Sequence, residues 1–247
     1  MLVKSQVKYI QSLSQKKFRD TEGLFVAEGP KIINELLCAG NVKPHSIFAL
    51  KGWIDANAAA VKKNGSIVTE IGESELKRIS FHTTPNQAIA VFYKPVFRKR
   101  NVADTVCLVL DNIQDPGNMG TIVRTADWFG LETIICSENT VDVFGPKTIQ
   151  STMGSIGRVE VVYEKPEKLL DKHRNIPAYA ATLEGENVFE MKSIKKGFII
   201  IGNESKGISE ALLKKAHHRI TIPKKGKVES LNAAVAAGII LSRLIGV

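Results

Sequence analysis

Apolar residues fall in short runs separated by amphipathic stretches, and the alternation predicts an α/β chain. Between Val3 and Phe18 the chain reads as one basic helix. "GLFVAEG" then reads as a strand, and "PKIINELLCAG" as a helix with Pro30 at its first position and Gly40 as its stop. "HSIFAL", "SIVTEI" and "AIAVFY" follow as strands, with "WIDANAAAVKK" and "ESELKRI" as the helices between them. These elements make a first α/β domain at residues 1–96. Residues 97–104 lie in "KPVFRKRNVAD", which is polar, basic and opened by Lys94-Pro95, and are expected to be a linker.

From residue 105 to 247 the apolar runs are "VCLVL", "TIICS", "VEVVY", "AYAAT", "FIIIGN" and "HRITIP". Helical stretches separate most of them, which predicts a mostly parallel sheet covered on both faces. A long last helix is expected from near Ser230, with Ala and Gly on one side where close helix packing or a subunit interface needs them.

Composition narrows the class. A chain of 247 residues, 44% hydrophobic and 24% charged, suits one or two globular domains. "LNAAVAAGIILSRLIGV" comes nearest to a membrane span, but Arg243 interrupts it. There is no signal-peptide apolar region, so a cytoplasmic location is expected. Cys38, Cys107 and Cys136 form no C-x-x-C pair and read as buried reduced thiols. The net charge of +9 is lopsided: residues 1–100 hold 16 Lys and Arg against 8 Asp and Glu. A basic segment of that kind points to nucleic-acid phosphates, with solvated, solubilising lysines as the plainer reading.

Three loops follow strands at the end where open α/β sheets bind ligands: "DPGNMG", "GNESKGIS" and "PKKGKVESLN". Together they offer Asn118, Arg124, Glu204, Ser230 and Asn232. Gly202 and Gly207 have Walker-loop spacing, but Ile208 stands where that loop needs its Lys. No G-x-G-x-x-G follows a strand, no G-x-S-x-G exists, and the five histidines lack metal-ligand spacing, so no metal centre is expected. Plainer structural readings stand beside the chemical one. Asp115-Pro116-Gly117 makes a tight turn with Asn118 as helix cap, Glu204 and Ser230 also cap helices, and Arg124 is an exposed helix residue.

"LDNIQDPGNMGTIVRTADWFG", "IIGNESKGIS" and "IPKKGKVESLNAAVAAGIIL" resemble, in order and spacing, the three motifs of the SpoU–TrmH RNA ribose 2′-O-methyltransferases of the SPOUT superfamily. "FVAEGPKIINELL" and "TTPNQAIAVF" more weakly resemble the ribosomal-protein-like RNA-binding domain that precedes the catalytic domain in many members. The resemblance implies a deep trefoil knot in the C-terminal domain, one of the rare exceptions to unknotted folds. It implies S-adenosylmethionine held in that knot by Thr182, Leu183, Glu184 and Gly185, by Ile201, Gly202, Asn203 and Glu204, and by Ile222, Ser230 and Leu231. It also implies a homodimer formed through the catalytic domain. Arg124 is the base proposed in the family. A guanidinium is effectively never deprotonated in a protein, so the reading adopted here is a bidentate clamp on a substrate phosphate. That clamp also stabilises the developing alkoxide while phosphate or water accepts the proton, with Asn118, Asn232 and Glu204 orienting the groups. Gly117 and Gly120 are expected to let the chain turn tightly at that site. The third motif departs from the family's usual Ile-Pro-Met, because Lys224 follows Ile222-Pro223.

The function expected is ribose 2′-O methylation of RNA, with ribosomal RNA favoured. The alternatives are the same reaction on tRNA and a non-catalytic RNA-binding or ribosome-assembly protein on the same fold.

Overall fold

The computed structural model describes residues 2–98 and 101–245, so Lys99 and Arg100 of the expected linker lie outside the described residues. The chain divides into two compact units, one of residues 1–97 with 142–157 and one of residues 98–141 with 158–247.

The first unit contains α1 (Lys4–Ser12), α2 (Lys16–Glu22), β1 (Leu24–Glu28), α3 (Pro30–Cys38), β2 (Pro44–Ala49), α4 (Lys51–Ala56), α5 (Ala58–Asn64), β3 (Val68–Glu70), α6 (Glu73–Ile79) and β4 (Ala88–Tyr93). Its sheet has the order β1-β4-β2-β3, antiparallel except for the β2–β3 pair. The single basic helix expected from Val3 to Phe18 is two helices. Arg19 is the reason: its buried guanidinium donates to the carbonyls of Leu13 (2.8 Å) and Ser14 (2.7 Å), taking up carbonyls freed where α1 ends. The helix expected over "WIDANAAAVKK" likewise breaks at Asn57, whose side-chain amide donates to the Trp53 carbonyl at 2.8 Å. Cys38, expected to be buried, is exposed at the end of α3.

Residues 142–157, from the second half of the sequence, complete this unit. Asp142 accepts from the Arg19 guanidinium at 2.5 Å in a nearly buried ion pair, and Phe144 lies against Phe25 with ring centroids 5.3 Å apart. In α8 (Pro146–Thr152), Thr148, Ile149 and Thr152 are buried. Gly154 and Gly157 then pass so close to α3 that a Cβ on either would lie 2.5 Å from the Cβ of Glu35 or 2.7 Å from that of Ala39.

The second unit is built on β5 (Val106–Asp111), α7 (Pro116–Trp128), β6 (Thr133–Cys136), β7 (Glu160–Tyr163), α9 (Pro166–Lys172), β8 (Ala178–Asn187), β9 (Gly197–Gly202), α10 (Glu210–Leu213), β10 (His218–Thr221) and α11 (Ala233–Leu244). Every strand pair in its sheet, ordered β10-β8-β9-β5-β6-β7, is parallel. One face packs Cys107, Val109, Phe198 and Ile200 against Leu169, Leu170 and Leu212 of α9 and α10. The alternate residues Leu108, Leu110, Ile199 and Ile201, also buried, point to the other face by the two-residue period of a strand. α11 packs on β9 and on α7. Burial pushes the Cys107 thiol up to about 12 and raises Cys136 as well, so both stay protonated.

Candidate active site

The first loop of the site leaves the buried strand β5 at Asp111 and enters α7 at Pro116. Asn112 takes the left-handed conformation that lets the chain turn (φ +59°), a shape Asn tolerates better than most residues. Neither Gly117 nor Gly120 does the turning, because both lie within α7. Gly117 has another use: a Cβ there would lie 2.9 Å from the Asp115 carboxylate, which caps the helix by accepting from the Asn118 amide at 2.8 Å. The cap is therefore Asp115, and the Asn118 side chain is released for other partners.

Those partners come from the other two loops. The first backbone donors of α11, Ala234 (2.9 Å) and Val235 (3.2 Å), bond to the side-chain oxygen of Asn232. The Asn232 amide donates to the Asn118 oxygen at 2.8 Å, and the Asn118 amide donates to the Glu204 carboxylate at 2.5 Å. A helix N-terminus at one end supplies only donors and a carboxylate at the other is an acceptor. Both amides are therefore held in one orientation. One N–H of Asn118, one N–H of Asn232 and the second Glu204 oxygen remain free of bonds within this relay.

Glu204 is carried on a loop of fixed shape. Asn203 and Gly207 exchange two backbone bonds of 3.0 and 2.9 Å, and Gly207 has φ +68°. The side-chain oxygen of Asn203 accepts from the amides of Ser205 and Lys206, while its amide donates to the Asn112 carbonyl at 2.9 Å. Asp111, buried, accepts from the Ser209 amide at 2.8 Å. Gly202 is required by close approach, since a Cβ there would lie 2.4 Å from the Gly207 carbonyl carbon.

The loop of residues 182–185 is an outward excursion of β8. The β8–β10 register shifts from Arg219 opposite Ala180 to Ile220 opposite Glu186. A Cβ on Gly185 would lie 2.4 Å from the Arg219 carbonyl oxygen. The Leu183 side chain is 73% exposed there.

Residues 105–242 match the SpoU rRNA methylase family, and residues 4–90 match an MRM3-like substrate binding domain. The chain is 30% identical, over 98% of its own length and 96% of the relative's, to the 23S rRNA (guanosine(2553)-2′-O)-methyltransferase RlmP of Bacillus subtilis. This chain belongs to the SpoU family. A TrmH-family protein of Porphyromonas gingivalis superposes with a TM-score of 0.86 at 35% identity, covering 98% of both chains. An rRNA methyltransferase of Sinorhizobium meliloti bound to AdoMet gives 0.84 at 30% identity, covering 98% of this chain and 95% of that one.

Within this SpoU-family chain the structure joins Asn118, Glu204 and Asn232. Arg124 is exposed on α7, and its guanidinium forms no hydrogen bond or ion pair with any described residue. Ser230 is exposed and caps nothing, because α11 begins at Ala233 with Asn232 as its cap. Asp111 and Asn112 were not singled out from the sequence, although an Asp-Asn pair closing an apolar strand is a legible turn signal, and Asn203, expected at the cofactor, also ties its loop to Asn112 through its side chain. A separate cavity of about 650 Å³ at the ends of β5 and β6 is lined by Asp111, Asn112, Ser137, Lys165 and Lys206, among others, and by no member of the relay.

Proposed function

We propose that this protein is an S-adenosylmethionine-dependent RNA methyltransferase acting on a ribose 2′-hydroxyl of ribosomal RNA. The observation that carries the reading is the Asn232–Asn118–Glu204 relay, with an unpaired Arg124 on the helix that bears Asn118. S-adenosylmethionine supplies a methyl group already activated on a sulfonium. The chain's own residues must place the hydroxyl, bind the neighbouring phosphate and spread the developing negative charge. Arg124, with no internal partner to release, clamps the phosphate bidentately and stabilises the alkoxide. The relay points its remaining donors at the ribose.

The loops at 182–185 and 201–204, with Ile222 and Leu231 at the two ends of the third loop, suit the cofactor. Gly185 and Gly202 let main chain pack directly on the main chain of Arg219 and Gly207, which fixes the shape of those first two loops, and Leu183 and Leu231 present apolar side chains to a flat base. Thr182, Leu183, Gly185, Ile201, Gly202, Asn203, Ile222 and Leu231 are the residues proposed to hold it. Residues 105–247, apart from 142–157, which pack with the first unit, form the catalytic domain, with the segment after β10 passing through a trefoil knot, and residues 1–96 form the RNA-binding module. The protein works in the cytoplasm as a homodimer, for which Trp128 (84% exposed) on α7 and Val235 (51%) on α11 offer apolar surface. Sedimentation of a Trp128→Glu variant as a monomer is the expected result.

The deciding experiment maps ribose methylations in total RNA with and without the gene. Loss of one ribosomal 2′-O-methyl group supports the reading, loss of a tRNA mark reassigns the substrate, and loss of a base methyl group overturns it. Calorimetry with S-adenosylmethionine separates enzyme from RNA binder, since a binder would show no heat of binding.

A further inference from the structure

Residues 222–231 connect β10 to α11 with both ends held. Thr221 donates its hydroxyl to the Leu183 carbonyl at 3.0 Å and accepts from the Val188 amide at 2.9 Å, while Asn232 is tied into the relay. Between those ends none of residues 222–231 hydrogen-bonds to another described residue, and residues 223–231 are all exposed. Lys224, Lys225 and Lys227 stand there with Glu229 as the single acid. None of the three ammonium groups pairs with a carboxylate among the described residues. Their backbone positions fall within about 10 Å of one another.

Three like charges so close repel one another, and a structural loop gains nothing from them. A polyanion reverses that balance, because each ammonium that neutralises a phosphate releases a condensed counterion. The loop ends on Asn232, one hydrogen bond from Asn118, so its cations belong to the segment that runs into the relay, with Lys227 five residues before Asn232.

We propose that Lys224, Lys225 and Lys227 form a phosphate-binding ridge that grips the RNA strand flanking the target nucleotide. The proposal rests on the functional reading only in taking RNA as the partner. Its chemistry is sequence-blind, so it sets the grip on the strand and leaves the choice of nucleotide to other contacts.

The test uses the full-length protein and a fluorescein-labelled single-stranded RNA of roughly 20 nucleotides, titrated by anisotropy between about 50 and 200 mM KCl. Substituting all three lysines (K224Q/K225Q/K227Q) is expected to lower the slope of log affinity against log salt by about 2, at about 0.7 per phosphate. The arginine triple (K224R/K225R/K227R) keeps the slope, which separates charge from loop shape. In methyl transfer the glutamine triple raises KM for RNA about tenfold or more and spares kcat, while S-adenosylmethionine affinity by calorimetry stays at the wild-type value. A slope changed by less than about 0.5 overturns the ridge, as does a loss confined to cofactor affinity. If the wild type labels no ribose but the slope still falls, the functional reading fails and the ridge stands. If the wild type labels ribose and the slope does not move, the ridge alone fails.

Discussion

The side-chain amide of Asn118 donates to the carboxylate of Glu204 at 2.5 Å, joining the first turn of α7 to a loop 86 positions further along the sequence. A charged acceptor makes this bond stronger than a neutral one, worth about 1.5–3 kcal/mol. It also decides the geometry upstream, because an Asn that gives its amide to Glu204 has only its oxygen to offer Asn232.

Asn118→Asp sets two carboxylates against each other with nearly unchanged shape. Repulsion raises the apparent pKa of the pair, so near neutral pH the relay is broken and kcat/KM falls by about a hundredfold. Below that raised value the introduced carboxylic acid is protonated and donates to Glu204 again. Activity of the variant is therefore expected to rise as pH falls, opposite to a general-base profile. A pH–rate profile of variant against wild type checks this.

Arg124→Lys keeps the charge and loses the fork. Because the Arg124 side chain makes no bond inside the described structure, stability is expected to hold, while kcat/KM drops by about 10- to 100-fold for one lost charge-assisted bond. Steady-state kinetics beside a thermal melt separate the two, and a variant with nearly full rate removes the bidentate role.

Gly202→Ala places a Cβ 2.4 Å from the carbonyl carbon of Gly207, where backbone rather than a pliable side chain must give way. Overpacking of this kind costs about 1–3 kcal/mol. S-adenosylmethionine affinity is expected to weaken by at least about tenfold in calorimetry. Gly52→Ala, with no atom within 4 Å of the added Cβ, serves as the matched control.

Arg19→Ala leaves Asp142 as an unpaired and nearly buried charge and strips the Leu13 and Ser14 carbonyls of their donor. Breaking a buried pair costs about 3–5 kcal/mol. Trp53, 1% exposed in the first unit, reports the loss as a lower urea midpoint in its fluorescence.

The sequence by itself determined the parallel sheet and the order of the three loops. Runs such as "VCLVL" and "FIII" are short, apolar at successive positions and rich in β-branched residues, the pattern of a strand buried on both faces. They are β5 and β9, and they lie side by side. The loops that follow them were legible for the same reason, since a chain leaving a buried strand must turn at its end. Tertiary structure alone decided the rest. Nothing local in Arg19 announces Asp142, 123 positions away, nor that residues 142–157 would pack with the first unit. Periodicity placed the start of the last helix near Ser230, yet Asn232 caps it, because its amide also finds Asn118 on another helix. Hydrogen bonds have direction as well as partners, and direction is set by atoms from distant parts of the chain meeting in one place. Arg124 acquires its meaning in the same way: the folded chain gave partners to its neighbours and left this guanidinium to the solvent.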